Sequence, residues 1–379
     1  MSTTATKKQP AKITNGCIHL AATELRKALE AIGPAVHSSA AKPIHRHCCL
    51  SAGLIEADNG ELRIDVELNT DDRGQAHLTD ILILPYDRLR LIVASVAPDC
   101  TVMLDPNDTG VRITAGRGSW TLPTLPSSEW PMLADPKLTP VCRLPADQFA
   151  RMAGNVRHAC DVGGSGRLAL GAVCVEMRDG TLSLVGTDGR RMCVSECEID
   201  QATEDSQTLV PRKAIDAMVA AARHAGDDGV QIERSATQVV ATFGGTTITA
   251  RQMSGHYAKW REIGTARVEE PTEANAGMLL ALCGSAAICT SETSRGVELS
   301  TGKTVRMRSV SSENGEAVCE CDCVSAGATV NTKIDPSYAA EGLRSLELAE
   351  TVAMHVKDAE SALVLVCEDT FTVIMPLVA

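Results

Sequence analysis

Aromatic residues are nearly missing from this chain. Three Trp, three Tyr and three Phe among 379 residues amount to 2%, so a close-packed core has to come from Leu, Ile, Val, Ala and Met. Long apolar runs are missing too. The most apolar stretch, residues 81–96, is broken by Pro85, Asp87, Arg88 and Arg90, well short of the roughly 20 apolar residues that a membrane span needs. Residues 1–17 carry no apolar h-region, so a flexible arm is expected there and not a secretion signal. The motifs G-x-S-x-G, the P-loop and H-E-x-x-H do not occur, which removes the commonest hydrolase and nucleotide-binding chemistries. Excess positive charge is also lacking: 36 Lys and Arg face 48 Asp and Glu, for a net charge of −12. That excludes a protein gripping phosphates over its whole surface. It does not exclude one that surrounds nucleic acid and slides, because only its inner surface need be positive.

Cysteine, by contrast, is plentiful, with 15 residues. Without a secretion signal a reducing cytoplasm is the expected compartment, and the thiols are expected free in the core or on strands. Two clusters hold metal-ligand residue types, His45-Arg46-His47-Cys48-Cys49 and Cys319-Glu320-Cys321-Asp322-Cys323. The first has no C-x(2–4)-C pair, and in the second Cys at every second position points three thiols to one face of a strand, unlike the turn of a zinc knuckle. Structural thiols are therefore expected, with no metal and no cofactor.

One segment recurs along the chain. Leu84-Pro85-Tyr86-Asp87-Arg88-Leu89-Arg90-Leu91-Ile92-Val93 begins with an apolar residue and Pro and continues at helical spacing. Val210-Pro211-Arg212-Lys213-Ala214-Ile215-Asp216 does the same 126 residues later (84 to 210), and Ile334-Asp335-Pro336-Ser337-Tyr338 opens a looser copy after a further 124 (210 to 334). Pro near a helix start is pre-organised for the first turn. A second helix opens each repeat. Thr23 is the expected N-cap of the first, over 24–30; residues 145–152 match it, and 272–289 form the third. Short alternating segments read as antiparallel strands, among them 173–177 and 181–185 around Asp179-Gly180, and 239–243 and 246–251 around Gly244-Gly245. Each repeat of about 125 residues thus reads strand, helix, strands, helix, strands. This is an α+β layer, two helices packed on an antiparallel sheet. Domains are expected at 18-138, 139-269 and 270-379, with polar linkers near 136–140 and 269–272.

Three quoted segments then matter together: Trp120-Thr121-Leu122-Pro123-Thr124-Leu125-Pro126-Ser127-Ser128-Glu129-Trp130-Pro131, Leu182-Ser183-Leu184-Val185-Gly186-Thr187-Asp188-Gly189-Arg190-Arg191-Met192, and Val373-Ile374-Met375-Pro376-Leu377. In this order they resemble the F-x-L-x-x-L-P-x-x-x-F/Y-P, T-D-G-H/R-R-L and V-x-M-P-[ML] segments of the bacterial DNA polymerase III beta sliding clamp family. Val210-Pro211-Arg212-Lys213 and Arg295-Gly296-Val297 also match, so the likeness runs from about Ile18 to Ala379. The resemblance implies three clamp domains per chain (the DNA clamp fold) and two chains closing head to tail into a ring with helices lining the hole. The function it implies is a non-catalytic processivity factor in DNA replication. Such a factor encircles duplex DNA without sequence preference and tethers the replicative polymerase. The implied partners are duplex DNA, the polymerase catalytic subunit, a clamp-loader ATPase, other clamp-binding-motif proteins, and a second copy of the chain as homodimer.

Site residues follow from the same resemblance. A pocket for a partner peptide is implied at Leu170, Thr187, Gly189, Arg190, Arg191, Met192, Ala258, Ile263, Tyr338, Val373, Met375, Pro376 and Leu377. Its Leu, Met, Ile and Val residues suit an adaptable apolar trough, and Arg191 is expected to fix a peptide carbonyl or carboxylate. DNA-facing cations are expected at Arg26, Lys42, Arg88, Arg151, Arg157, Arg212, Lys213 and Arg344. The dimer interface is expected at Trp120 and Leu122 against Ile288 and Cys289. Where the family commonly has F-P-D-Y-R-R this chain has Tyr257-Ala258-Lys259-Trp260-Arg261-Glu262. Glu262 in place of a cation is expected to disfavour acidic flanks on a partner peptide. Two other readings stay open at this level: a diverged clamp paralogue serving another partner, and a cysteine-rich metal-binding enzyme.

Overall fold

The computed structural model describes residues 17–37, 42–51, 53–68, 81–107, 110–131, 137–162, 168–199, 204–226, 228–263, 267–292, 295–346 and 350–377. The expected N-terminal arm lies outside them except for Cys17. The chain begins with β1 (Ile18–Ala21), α1 (Ala22–Ile32), β2 (His47–Ser51), β3 (Leu54–Asp58), β4 (Leu62–Glu67), β5 (Leu82–Pro85), α2 (Tyr86–Ser95), β6 (Thr101–Asn107), β7 (Gly110–Ala115) and β8 (Gly118–Leu122). It continues with β9 (Thr139–Leu144), α3 (Ala146–Arg157), β10 (Ala172–Arg178), β11 (Thr181–Thr187), β12 (Arg191–Glu198), β13 (Ser206–Pro211), α4 (Arg212–Ala222), β14 (Val230–Arg234), β15 (Gln238–Phe243), β16 (Thr246–Arg251) and a one-turn α5 (Trp260–Ile263). Last come β17 (Thr272–Asn275), α6 (Ala276–Ala287), β18 (Val297–Ser300), β19 (Thr304–Ser311), β20 (Gly315–Ser325), β21 (Asn331–Ile334), α7 (Pro336–Ser345), β22 (Thr351–His355), β23 (Leu363–Cys367) and β24 (Thr370–Ile374). The order strand, helix, four strands, helix, three strands occurs three times, an α+β pattern.

Two helix starts differ from the sequence expectation. Thr23 is not an N-cap: α1 begins at Ala22, directly off β1, and the Ala22 N–H donates to the Cys100 carbonyl at 2.8 Å. Ala21 holds the N-cap position with extended backbone, which leaves Thr23 inside the first turn. The third opening helix is shorter than 272–289, because Thr272–Asn275 is strand β17. Asn275 ends that strand and caps α6, accepting from the Met278 N–H at 3.0 Å.

Backbone contacts group the chain into two compact units, Met1–Pro140 with Ala220–Arg251, and Val141–Val219 with Gln252–Ala379. The first unit holds a sheet ordered β1-β6-β7-β8 and another running β5-β2-β3-β4-β16-β15-β14. The second holds one twelve-stranded sheet, β13-β10-β11-β12-β24-β23-β22-β17-β20-β19-β18-β21. The middle repeat is therefore shared, because hydrogen-bond ladders run straight through the repeat borders: Ile64 of β4 pairs Ile248 of β16, and Met192 of β12 pairs Val373 of β24. Helices bury one face each. Leu25, Leu29 and Ile32 of α1 are fully buried in the first unit, as are Phe149, Met152 and Val156 of α3 in the second. Among the described residues no helix is long and apolar enough to cross a membrane.

A tryptophan device appears once in each unit. The Trp130 indole N–H donates to Glu56 at 2.9 Å, with Arg63 also 2.9 Å from that carboxylate. In the second unit Trp260 donates to Glu176 at 3.2 Å, with Arg261 2.8 Å away. A scarce, large side chain thus pins the segment that closes a repeat onto its sheet, and its polar tip finds a partner.

Candidate functional site

The second unit contains a cavity of about 610 Å³. Its wall starts at the end of β11, where Thr187-Asp188-Gly189-Arg190-Arg191 makes a turn. Gly189 has φ of +86°, which favours glycine. Asp188 Oδ1 accepts from the backbone N–H groups of Arg190 and Arg191 at 2.9 and 3.0 Å. The Thr187 hydroxyl donates to the Arg191 carbonyl at 2.6 Å and accepts from the Gly189 N–H at 3.0 Å. The T-D-G-R-R motif is therefore a self-satisfied turn. The Met192–Val373 pairing brings the tail alongside it, and the Met375 N–H donates to the Arg190 carbonyl at 2.9 Å. The floor is buried, with Leu170, Met192 and Val373, whereas Ile263 and Met375 are 44% and 45% exposed at the mouth. Exposed apolar side chains around a concave apolar floor suit an apolar ligand.

Ten of the thirteen expected pocket residues line this cavity: Leu170, Thr187, Gly189, Arg190, Arg191, Met192, Ala258, Ile263, Val373 and Met375. Tyr338 stands one layer back, its ring 4.6 Å from the Arg191 guanidinium. Leu377 turns elsewhere: its N–H donates to the Lys333 carbonyl at 2.7 Å, and its Cδ1 fills the space beside Gly296. Pro376, half-buried, also lies outside the cavity lining. Sequence reasoning missed Ala169, Ser254, Gly255, His256 and Tyr257. Tyr257 had a signal, since it opens the segment compared with F-P-D-Y-R-R. It is buried, and its hydroxyl donates to the Val185 carbonyl at 2.9 Å.

Arg191 does not reach for a peptide. Its side chain is 8% exposed, and its guanidinium meets Asp188 at 3.1 Å, Glu341 of α7 at 2.7 Å and the His158 carbonyl at 3.0 Å. Burial first, and the neighbouring Arg191 charge second, hold His158 itself down to about 4. Arg191 thus ties the turn to α7 and to the end of α3. R191M should cost about 2 kcal/mol, because it strands two carboxylates, one of them partly solvated. The measurement is chemical denaturation; unchanged stability would hand Arg191 back to the ligand. The cation left at the mouth is Arg190, which is exposed. Glu262 stands 3.4 Å from Lys259 in a solvated ion pair, so its charge is already matched.

The DNA-facing candidates divide. Arg26 is a structural cap: its Nη2 donates to the Val93 and Val96 carbonyls at 2.9 and 3.2 Å, closing the end of α2. That gives Arg26 a packing role within the first unit. Lys42, Arg88, Lys213 and Arg344 are exposed. Arg151 lies 3.9 Å from Asp369, and Arg157 and Arg212 both approach Asp216. Of the interface candidates, Trp120 is half-buried on β8, the last strand of its sheet, and Leu122 is buried. Ile288, 75% exposed just after α6, and half-buried Cys289 lie in the other unit. Cys319, Cys321 and Cys323 face the core against α6 and α7, while Glu320 and Asp322 point outward. Desolvation raises the Cys321 and Cys323 thiols and pushes Cys283 up to about 12, so these are neutral packing groups and not thiolates. Among the described residues no three His, Cys, Asp or Glu side chains gather as metal ligands would.

Known proteins give the same picture. The family profile for the DNA polymerase III beta subunit, central domain, matches residues 143–259. The beta sliding clamp of Escherichia coli strain K12 is 25% identical over 260 residues, 66% of this chain and 68% of that protein. The middle third of the chain thus matches the central domain of the DNA polymerase III beta subunit, and the chain is similar to beta sliding clamps over two thirds of its length. The Haemophilus influenzae beta sliding clamp is 22% identical over 319 residues, covering 83% of this chain and 86% of its own length. Among solved structures, a DNA polymerase sliding clamp from Pseudomonas aeruginosa superposes with a TM-score of 0.87 at 20% identity over 96% of this chain and 100% of its own. The DNA polymerase III beta subunit of Thermotoga maritima does so with 0.85 at 17% identity, over 96% and 99%. The fold is the repeated clamp fold of these structures.

Proposed function

We propose that this chain is a DNA sliding clamp that holds a replicative polymerase on duplex DNA and makes or breaks no bond itself. The observation that carries the reading is the groove at the β12–β24 junction, built from the motif turn and the tail, with Ile263 and Met375 exposed beside a buried apolar floor. A short partner peptide with apolar anchors fits it, and Arg190 supplies a charge at the mouth.

On this reading the domains are 18-138, 139-269 and 270-379, and two chains close head to tail. The free edge of β8, carrying Trp120, meets the region around Ile288 and Cys289 of a second copy. Closure of this kind removes exposed sheet edges. DNA-facing cations are Lys42, Arg88, Arg151, Arg157, Arg212, Lys213 and Arg344, which confine positive charge to part of an otherwise acidic protein. A clamp-loader ATPase opens one junction, other clamp-binding-motif proteins share the groove, and the work is done in the cytoplasm. The test is retention: loaded protein should stay on nicked circular DNA and be lost when the circle is linearised. Equal retention on both forms, or tight sequence-specific binding by the free protein, would contradict a topological tether.

A further inference from the structure

Two of the cations assigned to DNA contact share one carboxylate. Arg157, in the last turn of α3, places Nη1 2.6 Å from Asp216 Oδ1. Arg212, the first residue of α4, places Nε 3.9 Å from the other oxygen, Oδ2, of the same carboxylate. Asp216 lies one turn into α4, and its side chain is 42% exposed. The first turn of α4 holds Arg212 and Lys213 and no acid. Cations at a helix N-terminus are disfavoured by the helix dipole. Arg212 and Lys213 are therefore not there for helix stability, and Asp216 offsets the local repulsion.

We infer that Asp216 is a built-in competitor for the DNA phosphate, occupying Arg157 and Arg212 and so setting the grip of this helix pair low. The inference rests on the proposed DNA contact. A phosphate that approaches these guanidiniums meets a carboxylate already on them. It must exchange with that anion rather than fill an open site, and the gain per contact is small. Both groups are partly solvated, so the exchange is cheap in either direction. A weak, exchangeable hold is what a protein needs if it is to move along a backbone without sequence preference.

The experiment uses the full chain and a short linear duplex, followed by fluorescence anisotropy across a salt series. Asp216→Asn should bind roughly threefold to tenfold tighter than wild type at low salt, with a dependence of log affinity on log salt steeper by about one. Asp216→Glu keeps the charge and should stay within about twofold of wild type. Asp147→Asn, on an exposed position of α3 outside the cluster, changes the net charge equally and should have no such effect. Wild-type affinity and slope in Asp216→Asn would overturn the inference while leaving the DNA contact standing. An equal gain in Asp147→Asn would also overturn it, as a net-charge effect. Failure of every variant and of wild type to bind at the lowest salt would overturn both the inference and the DNA contact.

Discussion

A W120E chain is expected to behave as a monomer at micromolar concentration, where the wild type is expected to dimerise. β8 ends the sheet β1-β6-β7-β8, so among the described residues one of its edges has no strand beside it in this unit. Trp120 sits at the centre of that strand, and its ring covers Gly118 so closely that a Cβ there would overlap the indole. The large aromatic surface therefore lies along the open edge. Leu122, two residues on, faces the same side. An aromatic anchor at an interface centre is worth about 2–4 kcal/mol, and a carboxylate in its place would be buried without a partner. Together these should weaken dimerisation on the order of a thousandfold or more. Multi-angle light scattering reads the result, and an unchanged melting profile shows that each chain still folds. A W120E protein that remains dimeric would place the junction elsewhere.

Removing Met375 to Ala379 should weaken a clamp-binding peptide from the cognate polymerase about tenfold to hundredfold. The sheet is spared, because β24 ends at Ile374. Of the deleted residues, Met375 lines the groove and is 45% exposed. An apolar anchor contact of this kind contributes about 1–3 kcal/mol, and each 1.4 kcal/mol is roughly a factor of ten. Because Leu377 packs beside Gly296, the truncation also uncovers that site; Met375→Glu leaves the packing intact and should lose as much. Calorimetric titration of both variants against wild type decides. Equal affinity in all three would mean that the peptide docks away from this groove.

Much of this was legible in the residues. Pro85, Pro211 and Pro336 marked three helices at near-constant spacing, and all three helices form. The alternation around Asp179-Gly180 gave a hairpin whose two turn residues have φ of +50° and +80°. Ten pocket positions converge because T-D-G-R-R and the tail occupy neighbouring strands. What the residues did not disclose was how charges are spent. Arg26, Arg157 and Arg191 look alike in sequence. One closes a helix, one shares an aspartate, and one is buried between two carboxylates. Those roles depend on partners 67, 59 and 150 positions away along the chain, beyond any local pattern. The cap at Thr23 failed because the helix starts directly off β1, at Ala22, where the Cys100 carbonyl from a distant segment takes the first N–H.

The ladders through the repeat borders separate repetition in sequence from cooperativity in folding. The stretch that recurs in sequence is one third of the chain, yet β4 is welded to β16 and β12 to β24 by backbone hydrogen bonds. A fragment cut between those paired strands would carry one whole repeat and still expose a row of amide donors and acceptors that the intact chain pairs. A single repeat is thus not expected to stand as a self-contained body, and what melts or is digested as one piece should follow the shared sheets and not the recurring segment.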